Sequence, residues 1–265
     1  MAVRSALINV MVKAAEKAAK SLKRDFGEVE HLQVSRKGPA DFVSTADMES
    51  QRILREELGK SRPDFGFVME EDDKMVDTSK KAERWIVDPL DGTTNFLHGL
   101  SHWSISIAAE REGEVVAGVI YDPLKDEMFW AEKGLGAYNN NKRMRVSARK
   151  DLADCLIATG LPFKGVMKTK PHFQAELMAV MPEVAGIRRF GSAALDLAYV
   201  AAGRYDGYWE AGLKTWDIAA GLLILKEAGG FIVSFSPKED PLVSGDVIAT
   251  NDAIHDKLVR LVRGA

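Results

Sequence analysis

The stretch that most constrains this chain runs Trp85-Ile86-Val87-Asp88-Pro89-Leu90-Asp91-Gly92-Thr93-Thr94-Asn95-Phe96. A short apolar run reads as a buried strand, and it ends on two carboxylates three residues apart. Glycine, two threonines and asparagine follow at once. Pro89 fixes one backbone angle between the carboxylates, which helps to aim Asp88, the Leu90 carbonyl and Asp91 in one direction. Hard cations such as Mg²⁺ take carboxylate and carbonyl oxygens in near-octahedral array and commonly share their sites with substrate phosphate. Backbone amides freed at a glycine-led helix start, here Gly92 and Thr93, suit that phosphate. Both halves of a metal-dependent phosphate site thus sit in one segment. A plainer reading of Asp-x-x-Asp alone is that Asp91 caps a helix beginning at Gly92.

The rest of the chain limits the fold and its setting. A chain of 265 residues admits one large α/β domain or two closely joined halves. A hydrophobic content of 46% supplies a substantial core, and a net charge of −3 argues against a broadly basic nucleic-acid binder. No direct DNA binding is expected. The single cysteine, Cys155, excludes an intrachain disulfide and fits a reducing cytoplasm. It lies in the apolar run Cys155-Leu156-Ile157-Ala158 and reads as a buried structural thiol. No segment approaches the ~20 apolar residues of a membrane span. Lys13, Glu16, Lys17 and Lys20 follow the apolar start on a helical repeat, so the first segment is an amphipathic helix rather than a secretory signal. The expected location is cytoplasmic, with no membrane partner.

Periodicity places helices at 3–25 and from Ala46 to Leu58, with a turn at Gly38-Pro39-Ala40-Asp41 between them and Asp47 near the second helix's start. Strands follow at Phe65–Met69, Trp85–Val87, Ser104–Glu110, Val115–Tyr121 and Glu127–Ala131, with a hairpin turn at Arg111–Glu114. The run 133–141 reads as loop. Helix patterns return at 169–182, 192–203, 216–228 and 252–263, separated by short strands near 156–159, 206–209, 231–233 and 247–250. The pattern predicts mixed α and β structure, with antiparallel sheet in the first half.

These motifs resemble the inositol monophosphatase family of Mg²⁺-dependent, lithium-sensitive phosphatases. The resemblance rests on Asp88-Pro89-Leu90-Asp91-Gly92-Thr93-Thr94-Asn95, on Lys37 with Asp41 through Asp47, and on Glu70-Glu71. It continues through Gly191-Ser192-Ala193-Ala194-Leu195-Asp196 and from Glu210 to Trp216-Asp217 and Gly221, in the family's order and spacing. The run from Gly191 to Gly230 is most similar to the bacterial extragenic-suppressor branch. The resemblance implies a layered α-β-α-β-α sandwich of the inositol monophosphatase and fructose-1,6-bisphosphatase type. Residues 1–150 would carry most metal ligands, and residues 151–265 would carry Asp217 and substrate contacts, in one compact unit.

The resemblance also implies roles. A first Mg²⁺ takes Glu70, Asp88 and the Leu90 carbonyl; a second takes Asp88, Asp91 and Asp217; a third, weaker ion leans on Glu70. Thr93 and Asp47 orient and deprotonate the attacking water, with Glu70 as the third catalytic residue. Asp91, Gly92, Thr93, Gly191, Ser192, Ala193, Glu210 and Asp217 contact substrate, Glu210 by accepting from its hydroxyls. The implied reaction is hydrolysis of myo-inositol 1-phosphate or a similar polyol phosphate to the alcohol and phosphate. A homodimer is expected. Fructose 1,6-bisphosphate and adenosine 3′,5′-bisphosphate are the alternative substrates. The suppressor branch implies a further alternative, association with RNA polymerase and antitermination factors in ribosomal RNA synthesis.

Plainer readings stand beside these. Asp47 by itself fits an ordinary helix-start carboxylate, and Ser192 an ordinary cap. The acids Glu70 through Asp73 fit a solvated loop, and Met69 and Asp72 depart from the family's Gly-Glu-Glu-Ser pattern. The run from Asp72 to Glu83 reads as a mobile loop that settles on metal binding. Trp216 is expected to wall the pocket. His98 and His102 lack the glutamate of a zinc motif and read as loop residues. The basic run Lys142, Arg143, Arg145, Arg149 and Lys150 fits a solvated surface, and Arg188-Arg189 a contact with substrate or a neighbouring subunit.

Overall fold

Three apolar clusters, each built where a helix stripe meets a sheet face, divide the protein into layers. The computed structural model describes residues 3–26, 34–38, 41–72, 82–162 and 172–264. The expected turn at residues 39–40, residues 169–171 of the expected third helix and residues 73–81 of the acidic loop lie outside them. Helix α1 (Ala6–Phe26) buries Leu7, Ile8, Met11, Ala15, Ala18 and Leu22, the stripe that its 3.6-residue period predicts. A short hairpin of β1 (Val34–Gly38) and β2 (Asp41–Ser44) leads into α2 (Thr45–Ser61).

The larger sheet runs in the order β3 (Gly66–Met69), β4 (Glu83–Asp91), β5 (Ser104–Arg111), β6 (Glu114–Asp122), β7 (Glu127–Glu132), β8 (Gly136–Asn139) and β9 (Lys142–Arg143). Every pairing is antiparallel except β3 with β4, which is parallel. Glu112 and Gly113, with φ of 50° and 82°, close the β5–β6 hairpin in the left-handed region that a tight two-residue turn needs. Strand β8 lies in the run expected to be loop, and β9 opens the basic run read as solvated surface. The buried pair in β8 is Gly136 and Ala137, too small to leave a hydrophobic alternation in the sequence.

The smaller sheet follows a 3-10 turn at Leu152–Asp154 and has the order β11 (Gly186–Arg188), β10 (Leu156–Thr159), β12 (Gly207–Glu210), β14 (Val247–Thr250) and β13 (Phe231–Val233). Between the sheets lie α5 (Ala193–Ala201) and α6 (Thr215–Glu227), buried on nearly every face. Helices α1 and α2 cover the outer face of the larger sheet. Helices α4 (Phe173–Val180) and α8 (His255–Arg263) cover the far face of the smaller one. The order is α-β-α-β-α, an α/β fold with mixed sheets flanked by helices. Two further short helices are α3 (Thr93–Leu97) and α7 (Pro241–Ser244).

Helix α6 approaches its neighbours closely. A Cβ at Gly118 in β6 would stand 2.9 Å from the Ala220 carbonyl oxygen, and one at Gly221 would stand 2.6 Å from Leu197 Cδ1 of α5. Ser106 Oγ of β5 donates to the Trp216 carbonyl at 3.3 Å. Trp216, expected to wall the pocket, belongs instead to the middle core cluster and is not among the residues that line the cavity. Since the atom met at position 118 is backbone, a side chain there must move the helix. Gly118→Val is expected to cost about 1–3 kcal/mol by overpacking, read as a lower urea midpoint at unchanged m-value.

Candidate active site

The end of β4 is irregular where the sequence changes character. Its pairing with β5 runs one to one down to Asp88 opposite Ser106, then resumes at Asp91 opposite Ser104. One extra residue is accommodated there, a bulge of the kind that re-aims side chains beside active sites. Pro89 cannot donate to the ladder. Its carbonyl instead accepts from Ser50 Oγ of α2 at 2.8 Å, and the Leu90 amide folds back onto Asp88 Oδ1 at 2.9 Å. Gly92 then turns the chain at φ 95°. A Cβ there would meet the His102 carbonyl oxygen at 3.1 Å and that of Gly191 at 3.3 Å, so conformation and space both require glycine.

Separate elements bring further carboxylates to this turn. The Glu70 amide donates to the Val87 carbonyl at 3.3 Å, so the parallel β3–β4 pairing delivers Glu70 beside Asp88. Asp217 lies in the first turn of α6, where its Oδ2 accepts from the Lys214 amide at 2.7 Å. Glu210 ends β12. Glu70, Asp88, Leu90, Asp91, Gly92, Thr93, Gly191, Ala193, Glu210 and Asp217 all line one cavity of about 290 Å³. Ser192 stands behind the wall: its hydroxyl donates to Asp91 Oδ2, which also accepts from the Ala194 amide at 3.0 Å.

Asp47 is likewise one layer back, fully buried at 0% exposure. Its Oδ2 accepts from the Ser44 amide at 2.9 Å and from the Ser44 hydroxyl at 2.5 Å, closing a capping box on α2. Its Oδ1 accepts from Thr93 Oγ1 at 2.9 Å. The helix-cap role and the link to Thr93 are therefore both present. The Thr93 hydroxyl has a second acceptor in reach, the Leu90 carbonyl at 3.0 Å, so its one proton can serve either.

Burial raises the pKa of Asp88, and Glu70, Asp91 and Asp217 raise it further. Burial pushes Asp91 up to about 6, partly offset by its bonds from Ser192 and Ala194. Burial, then Asp91 and Glu70, likewise raise Asp217. Burial also raises Asp47, against its Ser44 and Thr93 bonds. Among the described lining residues Arg189 is the basic side chain, against five carboxylates. Among the described residues no three acidic, imidazole or thiol groups converge on one point as a ready coordination shell. The donor chemistry nevertheless fits a hard dication: carboxylates and one carbonyl, two of the acids buried, gathered at a cost that a cation would relieve.

Other members of the site were not assigned a role by sequence reasoning. Asn95 Nδ2 donates to the carbonyls of His102 at 2.7 Å and Phe190 at 2.6 Å, tying the turn after β4 to the loop before α5. Its place in the central motif was the available signal. Gly160, Leu161 and Leu213 also line the cavity, and nothing local in the sequence marks them. Arg189 resolves onto the cavity wall, whereas Arg188 ends β11. The side chains of Lys37 and Asp41 are outside the described residues.

A model of the inositol monophosphatase family matches residues 4–265. The chain belongs to that family. Inositol-1-monophosphatase of Rhizobium meliloti (strain 1021) is 55% identical over 98% of this chain and 97% of its own length. The Nus factor SuhB of Escherichia coli (strain K12) is 38% identical over 94% of this chain and 92% of its own. The crystal structure of extragenic suppressor protein suhB from Bartonella henselae superposes with a TM-score of 0.93, at 54% identity over 98% of this chain and 99% of that one. This family member is a hydrolase of the inositol-monophosphatase type, close to the SuhB-type proteins.

The raised carboxylates make a sign prediction. Asp91 binds its proton more tightly when folded, at about 6 against an ordinary aspartate's 3.8. In that window the native state holds more protons than the unfolded one, so metal-free stability falls as pH rises through it. Asp91→Asn removes the charge while keeping an acceptor for Ser192 and Ala194. It is expected to stabilise the metal-free protein at pH 7 by roughly 1–3 kcal/mol, with the gain vanishing near pH 4. Thermal melts in EDTA across that range measure it.

Proposed function

We propose that this enzyme is a Mg²⁺-dependent phosphomonoesterase acting on myo-inositol 1-phosphate and related polyol phosphates. The observation that carries the reading is the gathering of Glu70, Asp88, Asp91 and Asp217, from three separate parts of the chain, around one cavity beside a helix start. These four residues and the Leu90 carbonyl would hold two to three Mg²⁺ ions, Asp88 being shared. Bound there, the ions would supply Lewis-acid activation of water and charge neutralisation at the leaving oxygen.

The chain's own groups do the remaining work. Amides of Gly92 and Thr93 receive phosphate oxygens. Thr93 Oγ1 accepts the proton of the attacking water as it passes its own to Asp47 Oδ1, 2.9 Å away. Burial makes that carboxylate more basic than an exposed one, which suits the task. Glu210, Gly191 and Ala193 face the same space and receive the hydroxyl-bearing leaving group. Relatives named inositol-1-monophosphatase, 49–55% identical, support the substrate class. Among the described lining residues five carboxylates stand against Arg189, which disfavours a second phosphate. A panel of esters with Mg²⁺ should show kcat/KM for myo-inositol 1-phosphate at least about tenfold above fructose 1,6-bisphosphate and adenosine 3′,5′-bisphosphate. Asp91→Asn should lower it by at least about 100-fold. A bisphosphate preference would replace the assignment.

We place the protein in the cytoplasm as a homodimer. Its one cysteine is buried, and among the described residues no helix is long and apolar enough to cross a membrane. A second reading comes from relatives 38–40% identical that are named Nus factor SuhB. In it the protein also associates with RNA polymerase or antitermination factors. The Asp91→Asn protein should then still retain polymerase in pull-downs, and failure to enrich polymerase or elongation factors ends that reading.

A further inference from the structure

Glu210 reaches the cavity by an arrangement that two other residues make. Tyr208, fully buried at 0% exposure in β12, donates its hydroxyl to Glu210 Oε2 at 2.7 Å. Residues 208 and 210 point to the same face of the strand, so the phenol and the carboxylate lie side by side with no intervening chain. Burial holds the phenol well above its ordinary range, which keeps it a donor.

Across from it, Gly160 follows the end of β10, the strand paired in parallel with β12. Thr159 Oγ1 donates to the Trp209 carbonyl at 2.9 Å and locks these strand ends together. A Cβ built at Gly160 would fall 1.9 Å from Glu210 Cδ and 2.0 and 2.1 Å from its two oxygens. The carboxylate therefore lies in the volume that a side chain at 160 would fill. Gly160 is not among the glycines with positive φ. Its backbone is open to any residue, so space rather than conformation accounts for glycine here.

We propose that Gly160 and Tyr208 are the positioning residues that make the cavity selective for a polyol leaving group. Gly160 provides the slot in which the Glu210 carboxylate lies, and Tyr208 binds one of its oxygens and so fixes the carboxylate's orientation at the cavity wall. An ester whose alcohol carries a neighbouring hydroxyl donates to that oriented carboxylate, whereas an aryl ester has nothing to donate. This inference rests on the polyol phosphatase reading above.

The test compares the Mg²⁺-loaded enzyme on myo-inositol 1-phosphate and on p-nitrophenyl phosphate. In Tyr208→Phe and in Gly160→Ala, the ratio of kcat/KM for the inositol ester to that for the aryl ester should fall roughly tenfold, the size set by one hydrogen bond to a charged group. The loss should lie in KM for the inositol ester. In a Glu210→Gln background, Gly160→Ala should change that ratio by less than about twofold, since the interaction it disturbs is already gone. Tyr208→Phe removes a single oxygen and fills the same volume, so it tests the idea even if the alanine variant folds poorly. An unchanged ratio in Tyr208→Phe, equal losses on both esters, or full additivity with Glu210→Gln overturns the positioning role. A wild-type enzyme with no preference for the inositol ester overturns the substrate reading and this inference together.

Discussion

Like charges held close in a dry place govern this molecule. Asp88 and Asp91 are buried with Asp217 and Glu70 beside them, and Glu70, Asp91 and Asp217 all raise the proton affinity of Asp88. A fold does not assemble such a group for stability, because every member loses hydration and gains repulsion. The rest of the architecture serves to hold it: a bulge that aims Asp88 and Asp91, a parallel strand pair that delivers Glu70, and a wedged helix that supplies Asp217.

That wedge explains why the middle layer is so closely packed. Helix α6 must cross the larger sheet at a distance that presents its first turn to the end of β4. Gly118 and Gly221 permit the approach by removing the side chains that would keep α6 from β6 and α5. The loop before α5 is drawn in by Asn95 and by the Ser192 and Ala194 bonds to Asp91. Core packing and site geometry are thus the same contacts seen from two sides. A residue that loosens the α5–α6 layer acts on the carboxylates without touching them.

Much of the fold was legible because its signals are local. The stripe of α1, the helix-start carboxylate Asp47 of α2 and the antiparallel meander of β5 to β7 follow from periodicity, helix-end charge and turn chemistry. Strand β4 proved longer than its apolar run, since Asp88 to Asp91 stays in the ladder through the bulge. Strands β8 and β9 went unread because small and polar residues form them, paired with partners that a linear pattern does not reveal. Trp216 was misplaced for a related reason: adjacency to Asp217 in sequence is not adjacency in a helix, where neighbours point some 100° apart.

What the sequence determined by itself was the chemistry on offer: oxygen donors of a hard-cation site, a glycine-led phosphate turn, and mixed α and β elements. These depend on residue type and short spacing, which a chain carries whether folded or not. Only the tertiary structure decided which carboxylates share a cavity, that Asp47 is bonded to Thr93 rather than lining the cavity itself, and that Gly160 yields its volume to Glu210. Those are relations between residues about 50 to 150 positions apart, and they exist only once strand pairing and helix packing have set the distances.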